Sequence, residues 1–361
     1  MFMDKNQIDE IRKKILSAVK LSGSDYSKAL AELEQLKKQA VSDISATGPT
    51  LNLVLSLISE ALGDVYMTQN NVTMADKAFA EMFFEANKAY TADNDRYRSH
   101  YGRCCRKRAS FYSFTLGCIK PSYPPKQLNE AQKKVFDMAE ALYKTAIGAT
   151  FQPGQPMPIA VADLHAVCLH ELMAMHAAVG NTDAAIKYGK DGVEVEKTIY
   201  AKLTDKTHAL RTARRMGTLA AVYMAAQQAE PASLLLEQAI EISEKHKAED
   251  PAAFELLLAR HSLTLANCCS ALPHKASLAE QYIKNGVKLM TAANEKSDSK
   301  LIDDVITAYL MAGDYFARIK KYAPAVDHYT WAYNMAQVMF DKTKNAKYQQ
   351  IMDRVKKYVH Q

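Results

Sequence analysis

No run of about 18 apolar residues, the length a helix needs to cross a bilayer, occurs in the chain. The sequence also lacks a Cys-x-x-Cys pair, a P-loop, a glycine-rich dinucleotide turn and a nucleophile elbow. The catalytic classes that depend on those motifs lose their usual signature. Thirteen glycines and 11 prolines in 361 residues leave little material for loops. The six cysteines, at 104, 105, 118, 168, 268 and 269, lie inside helical patterns, and two pairs are adjacent. They read as reduced core thiols rather than a disulfide frame. The formal charge of +6 is mild for this length; it permits an acidic partner without requiring one. Residues 1–20 alternate charge with apolar side chains and carry no uninterrupted apolar stretch. They read as an amphipathic helix of a cytoplasmic protein.

What the chain does have is a recurring pattern. In the stretch Met216–Ile242, Ala232, Leu236 and Ala239 have the spacing A-x3-L-x2-A. The same frame returns as Ala279, Ile283, Gly286, as Ala325, Tyr329, Ala332, as Ala185, Gly189, Gly192 and as Ala75, Phe79, Met82. Weaker copies stand at Ala29, Leu33, Leu36 and at Ala131, Val135, Met138. Twelve residues before each strong first alanine lies the second member of a pair: Leu62-Gly63, Leu172-Met173, Leu219-Ala220, Ala266-Asn267 or Ala312-Gly313. Three residues further on come Tyr66, His176, Tyr223, Ser270 and Phe316. Small residues in such a frame let two helices approach, and large ones fill the space between them.

This frame resembles the tetratricopeptide (TPR) repeat, an antiparallel helix pair. Successive copies are 47, 47 and 46 residues apart from Ala185 to Ala325. A standard TPR has roughly 34 residues, so each helix is expected to be longer by a turn or two. In this the chain is similar to the elongated arrays of kinesin light chain and of the bacterial peptide-sensing TPR proteins. The resemblance implies an all-α, right-handed TPR-like α-solenoid of about seven antiparallel pairs, plus a C-terminal capping helix near residues 344–359. Prolines crowd residues 120–125 and 151–158, where backbone must be extended or turned. A bend is expected there. It divides the chain into N-terminal hairpins (1–120), an irregular interruption flanking a helix (121–160) and a regular array with its cap (161–361).

Residues that could carry chemistry are sparse. His165, Cys168, His170, Glu171 and His176 crowd one helix. A zinc protease helix needs histidines four apart, whereas these are five and six apart and face different ways. His176 occupies a packing position of the frame. A basic segment holds Arg103, Arg106 and Lys107; Arg103 and Lys107 share a helix face, and Arg106 sits about 60 degrees from Arg103. It suits a phosphate or an acidic peptide, or else a solvated face.

The resemblance further implies a concave groove lined by the first helix of each pair. Carried over, that stripe gives Leu57, Glu60 and Asp64, then Val167, His170 and Ala174, then Arg211, Arg214 and Ala221. It continues with His261 and Cys268, and with Asp304, Thr307 and Asp314. An acidic group or a C-terminal carboxylate is expected near His170, Arg211, Arg214 and His261. The implied function is a non-enzymatic scaffold that binds a protein or peptide, without cofactor or metal. A peptide-responsive sensor controlling a second protein is the alternative. Neither nucleic acid nor membrane is an expected partner, and the protein is expected to be a monomer or a dimer.

Overall fold

A computed structural model of the chain describes residues 5–42, 48–150 and 157–359. Among the described residues there are fifteen α-helices and no strand. They are α1 (Lys5–Leu21), α2 (Tyr26–Ser42), α3 (Pro49–Thr68), α4 (Val72–Ala92) and α5 (Asn94–Thr115). Then come α6 (Glu130–Thr150), α7 (Ile159–Ala178), α8 (Thr182–Leu203), α9 (Lys206–Ala225) and α10 (Ala229–His246). The last are α11 (Pro251–Ala271), α12 (Ala276–Lys296), α13 (Ile302–Arg318), α14 (Tyr322–Thr343) and α15 (Ala346–Val359). The spacing predicts all fifteen. The proline-rich stretch 151–158 lies, over 151–156, outside the described residues. No helix is long and apolar enough to cross a membrane among the described residues.

The turns inside four of the seven pairs follow one rule. Asn71, Asn181, Gln228 and Lys321 donate their backbone N–H to the carbonyls of Tyr66, His176, Tyr223 and Phe316, at 3.0, 2.9, 2.9 and 2.9 Å. Each turn passes through one left-handed residue: Asn70, Gly180, Gln227 or Lys320. This is the Schellman closure, which satisfies a carbonyl left over at the helix end. The acceptors are the aromatic or histidine positions of the sequence frame, so one position sets both packing and turn. The sixth pair departs from the rule. Leu272, held extended before Pro273 (φ −111, ψ 109), ends α11, and Lys275 donates its N–H to the Leu272 carbonyl instead of to Ser270.

Packing inside the pairs is small against large. A Cβ added at Gly63 would lie 2.4 Å from the Phe79 ring, and one at Gly313 would lie 2.6 Å from the Tyr329 ring. Gly286 bears on Leu263 in the same manner. The frame residues Ala232, Leu236 and Ala239 are fully buried. All six cysteines are free and buried. The helix α15 packs on α14 through Tyr348, Met352 and Val355, with Tyr329 stacked on Tyr358 at 4.6 Å.

One copy of the frame must be corrected. Ala131 and Met138 are exposed on α6, whereas Ala139, Tyr143 and Ala146 are fully buried and have the same spacing. The frame of the third pair therefore starts at Ala139, 46 residues before Ala185. Its partner marks are Ala109 and Tyr112 on α5, and thirty residues separate Ala109 from Ala139, where twelve separate Gly63 from Ala75. The additional residues form the connection 116–129. That connection is tied down: Lys126 donates its N–H to the Ala178 carbonyl at 2.8 Å, and Pro125 lies against Gly180. The stretched spacing is thus a loop seated on the end of α7.

The chain divides into two compact units, Met1–Val195 and Glu196–Gln361. Unit 1 carries two clusters of buried apolar side chains, one around Leu33, Ile58 and Leu62 and one around Phe79, Tyr143 and Met175.

The small-against-large rule yields a paired prediction. Gly63→Ala drives a methyl into the Phe79 ring, and overpacking of this kind costs about 1–3 kcal/mol. Gly148→Ala, on an exposed helical position with nothing within 4 Å, should instead stabilise by roughly 0.5–1 kcal/mol. Chemical denaturation of both variants checks the two opposite signs.

Candidate functional site

Four helices of unit 1 enclose a cavity of about 780 Å³. They are α1, α3, α5 and α7, the first helices of the four pairs. From α1 come Ile8, Asp9 and Arg12; from α3, Leu53 and Glu60. The α5 face supplies Arg96, Ser99, Arg103, Arg106 and Lys107, and α7 supplies Val161 and Leu164. Arg96, Ser99 and Arg103 are exposed and three to four residues apart, hence one stripe of α5. Tyr112 is buried on another side of α5, where its hydroxyl accepts two hydrogen bonds from Arg108 at 3.0 and 2.8 Å. Arg103, Arg106 and Lys107 all line the cavity because it is wide enough to reach across the 60-degree offset.

The cations differ in how they are held. Arg106 is gripped by Glu171 of α7 through two parallel hydrogen bonds, 3.1 and 2.7 Å long. That geometry leaves little of its fork for a ligand. Lys107 lies 2.6 Å from Asp64, and Arg12 lies 3.1 Å from Asp9. Arg96 and Arg103 have no carboxylate within 4 Å among the described residues. Arg96 rests on the Tyr97 ring, 5.4 Å from its centre, and Arg103 lies 3.4 Å from Nδ1 of His100. A cation in the first turn of a helix faces the positive end of the helix dipole. Arg96 is in that position, so helix stability does not account for it.

Burial dominates the titration of the groups beneath this stripe. His100, whose Nε2 lies 2.9 Å from the Ser56 hydroxyl, is pushed down to about 3 by burial and then by Arg103 and Arg12. It is neutral at physiological pH. The Glu60 carboxyl is raised by burial, although Lys107, Arg103 and Arg106 pull the other way. The thiol of Cys105 is pushed up to about 12 by burial, and that of Cys104 also moves up. Neither is a thiolate at neutral pH, and the thiolate is the nucleophilic form.

The rest of the expected stripe is mostly occupied. In unit 1, Leu57, Val167 and His170 are half-buried, and Ala174 is buried. Asp64 and Glu171 are used by the cations described above. His176 packs between Phe136 and Tyr188, with ring centroids 5.3 and 5.4 Å away. In unit 2, the fully buried Glu196 accepts hydrogen bonds from Arg211, at 3.0 Å, and from Arg215. Asp304 accepts from Arg260, and Asp314 from Tyr329 and Arg354. Thr307 and Arg214 are exposed, and Ala221 is half-buried. Cys268 and His261 are buried instead of lining a surface. The reason for His261 is Gly217, whose missing side chain lets the imidazole sit where a Cβ would lie 2.4 Å from Nε2.

Arg12 and Arg96 are the functional candidates that sequence reasoning missed. For Arg96 the available signal was a cation in the first turn of a helix, opposed by the dipole; Arg12, seven residues into α1, carried no such signal.

The burial of His261 has a measurable consequence. Its pKa is lowered from 6.5 to about 4 by burial and by the neighbouring Arg260. The folded state therefore refuses a proton that the unfolded chain accepts. Stability is unaffected above pH 6.5 and falls as pH drops from 6.5 towards 4, by about 3 kcal/mol at most for this group. Thermal unfolding between pH 7 and 4 should show a smaller acid-dependent loss in His261→Asn than in the unaltered protein.

No family model matches the chain, and no curated protein matches it either. Solved structures do. The apo form of RapI is similar over 92% of this chain and 99% of that one, with 11% identity and a TM-score of 0.52. Aspartyl phosphate phosphatase F from Bacillus subtilis is similar over 99% of this chain and 81% of that one, with 13% identity and a TM-score of 0.51. At such identities the likeness is one of fold. With the helix-pair frame and its repeated turns, it shows this chain to be a TPR-like α-solenoid.

Proposed function

We propose that the protein is a non-enzymatic scaffold that holds a protein or peptide segment on the face formed by the first helices of its pairs. The carrying observation is that α1, α3, α5 and α7 jointly enclose one cavity edged by five cations, Arg12, Arg96, Arg103, Arg106 and Lys107. A solenoid presents a long continuous surface to an extended ligand. The ring of cations favours an acidic ligand, because charge-assisted hydrogen bonds orient carboxylates. The apolar side chains Ile8, Leu53, Val161 and Leu164 offer separate places for apolar side chains. Binding without chemistry is supported by the neutral thiols and by the neutral, buried His100 beneath the cavity.

A steric block tests this reading. Peptides selected from an unbiased displayed library against the full chain are titrated by calorimetry. Ala160→Trp places a large side chain at the exposed rim of the cavity, whereas Ala141→Trp places one on an exposed position of α6. Affinity is expected to fall at least tenfold in Ala160→Trp and to be unchanged in Ala141→Trp. Equal affinity in both variants would remove the cavity from the binding face.

A further inference from the structure

The cavity carries more information than its sign. Of its five cations, three already have a carboxylate partner: Arg106 with Glu171, Lys107 with Asp64 and Arg12 with Asp9. Among the described residues, Arg96 and Arg103 have none within 4 Å, and both are exposed. They lie seven residues apart on one stripe of α5, which is about 10 Å along a helix axis. One carboxylate cannot reach both at hydrogen-bond distance. A chain in the extended polyproline II form advances about 3.1 Å per residue with three residues per turn, so side chains three apart fall on one face about 9 Å from each other.

The cavity lining also carries apolar side chains, Ile8 from α1, Leu53 from α3 and Leu164 from α7. Glu60 of α3 also lines the cavity, a half-buried carboxyl in the field of Lys107, Arg103 and Arg106. It is the one anionic group that α3 contributes to the cavity lining. Its charge offsets part of the cationic field that a ligand would otherwise feel.

We propose that the cavity of unit 1 recognises an extended acidic peptide with two carboxylates three residues apart, one on Arg96 and one on Arg103, and an apolar side chain between them against Leu53 and Leu164. Glu60 competes with the second carboxylate. This inference rests on the groove reading above and narrows it to one ligand pattern. An acidic segment of a partner, whether free or inside a larger protein, presents the same chemistry.

The proposal is tested with fluorescein-labelled synthetic peptides and the full chain, by fluorescence anisotropy at low and high salt. The peptides contain Glu-Leu-Ala-Glu, its Gln-Leu-Ala-Gln counterpart, or the two glutamates adjacent. The spaced acidic peptide is expected to bind at least tenfold more tightly than either control, with the advantage shrinking as salt rises. Arg96→Gln and Arg103→Gln should each weaken it several-fold without altering the circular dichroism. Glu60→Gln should tighten it. The opposite sign at Glu60 separates competition from a general loss of structure, which would weaken binding in every variant. Equal binding of spaced and adjacent glutamates, or no effect of either arginine substitution, overturns the proposal. If library-selected peptides still bind and are still blocked by Ala160→Trp, the groove reading survives that failure. If nothing is blocked, both fall together.

Discussion

The close approach of a small residue on one helix to a large one on the next is the contact on which the architecture rests. Gly63 against Phe79, Gly286 against Leu263 and Gly313 against Tyr329 are instances of it. Because the glycines have no side chain, the large side chain fills the space that a Cβ would occupy, and the two helices lie close enough to exclude water. The residue three places beyond the small one then ends its helix through the same Schellman bond in four of the pairs. Spacing, packing and turn are therefore one constraint, repeated. A repeat built this way cannot bury its apolar face alone, and stacking on neighbours completes the core.

The charges on this scaffold sort into two kinds. In unit 2, Glu196 absorbs Arg211 and Arg215, and Asp314 absorbs Arg354, so those charges serve the fold. Glu196 is fully buried, and buried charges are expensive unless paired and hydrogen-bonded. In unit 1, α5 carries arginines at 96 and 103 with no such partner among the described residues, one of them opposed by the helix dipole. Residues kept where they do not help the fold are the natural place to look for a ligand.

Much of this was legible in the sequence, and the rest failed for definable reasons. The helices, their pairing and the buried cysteines follow from periodicity, because burial of one face imposes the spacing directly. The third pair was misread at Ala131, since an A-x3-V-x2-M match on α6 preceded the true one at Ala139; only burial distinguishes the two. Asp64 and Glu60 were expected on the groove stripe, and the structure puts Glu60 in the cavity and Asp64 on Lys107, one of the cavity's cations. The basic segment was visible too, but its partner Glu171 lies 65 residues away, and no local pattern reveals such a pair. His261 illustrates the converse. Its frame position is the one Arg214 holds a repeat earlier, yet Gly217 on the neighbouring helix opens a space that buries the imidazole. Side-chain orientation there depends on a residue in another repeat.

The central claim is that the first helices of unit 1, and not the second, form the face that binds. Photo-crosslinking reads this directly. An acidic peptide carrying a photoreactive phenylalanine analogue is bound to the full chain, irradiated and mapped by mass spectrometry. The account predicts adducts on α1, α3, α5 and α7, concentrated around Leu53, Arg103 and Leu164. Adducts confined to α2, α4 or α6 would contradict it.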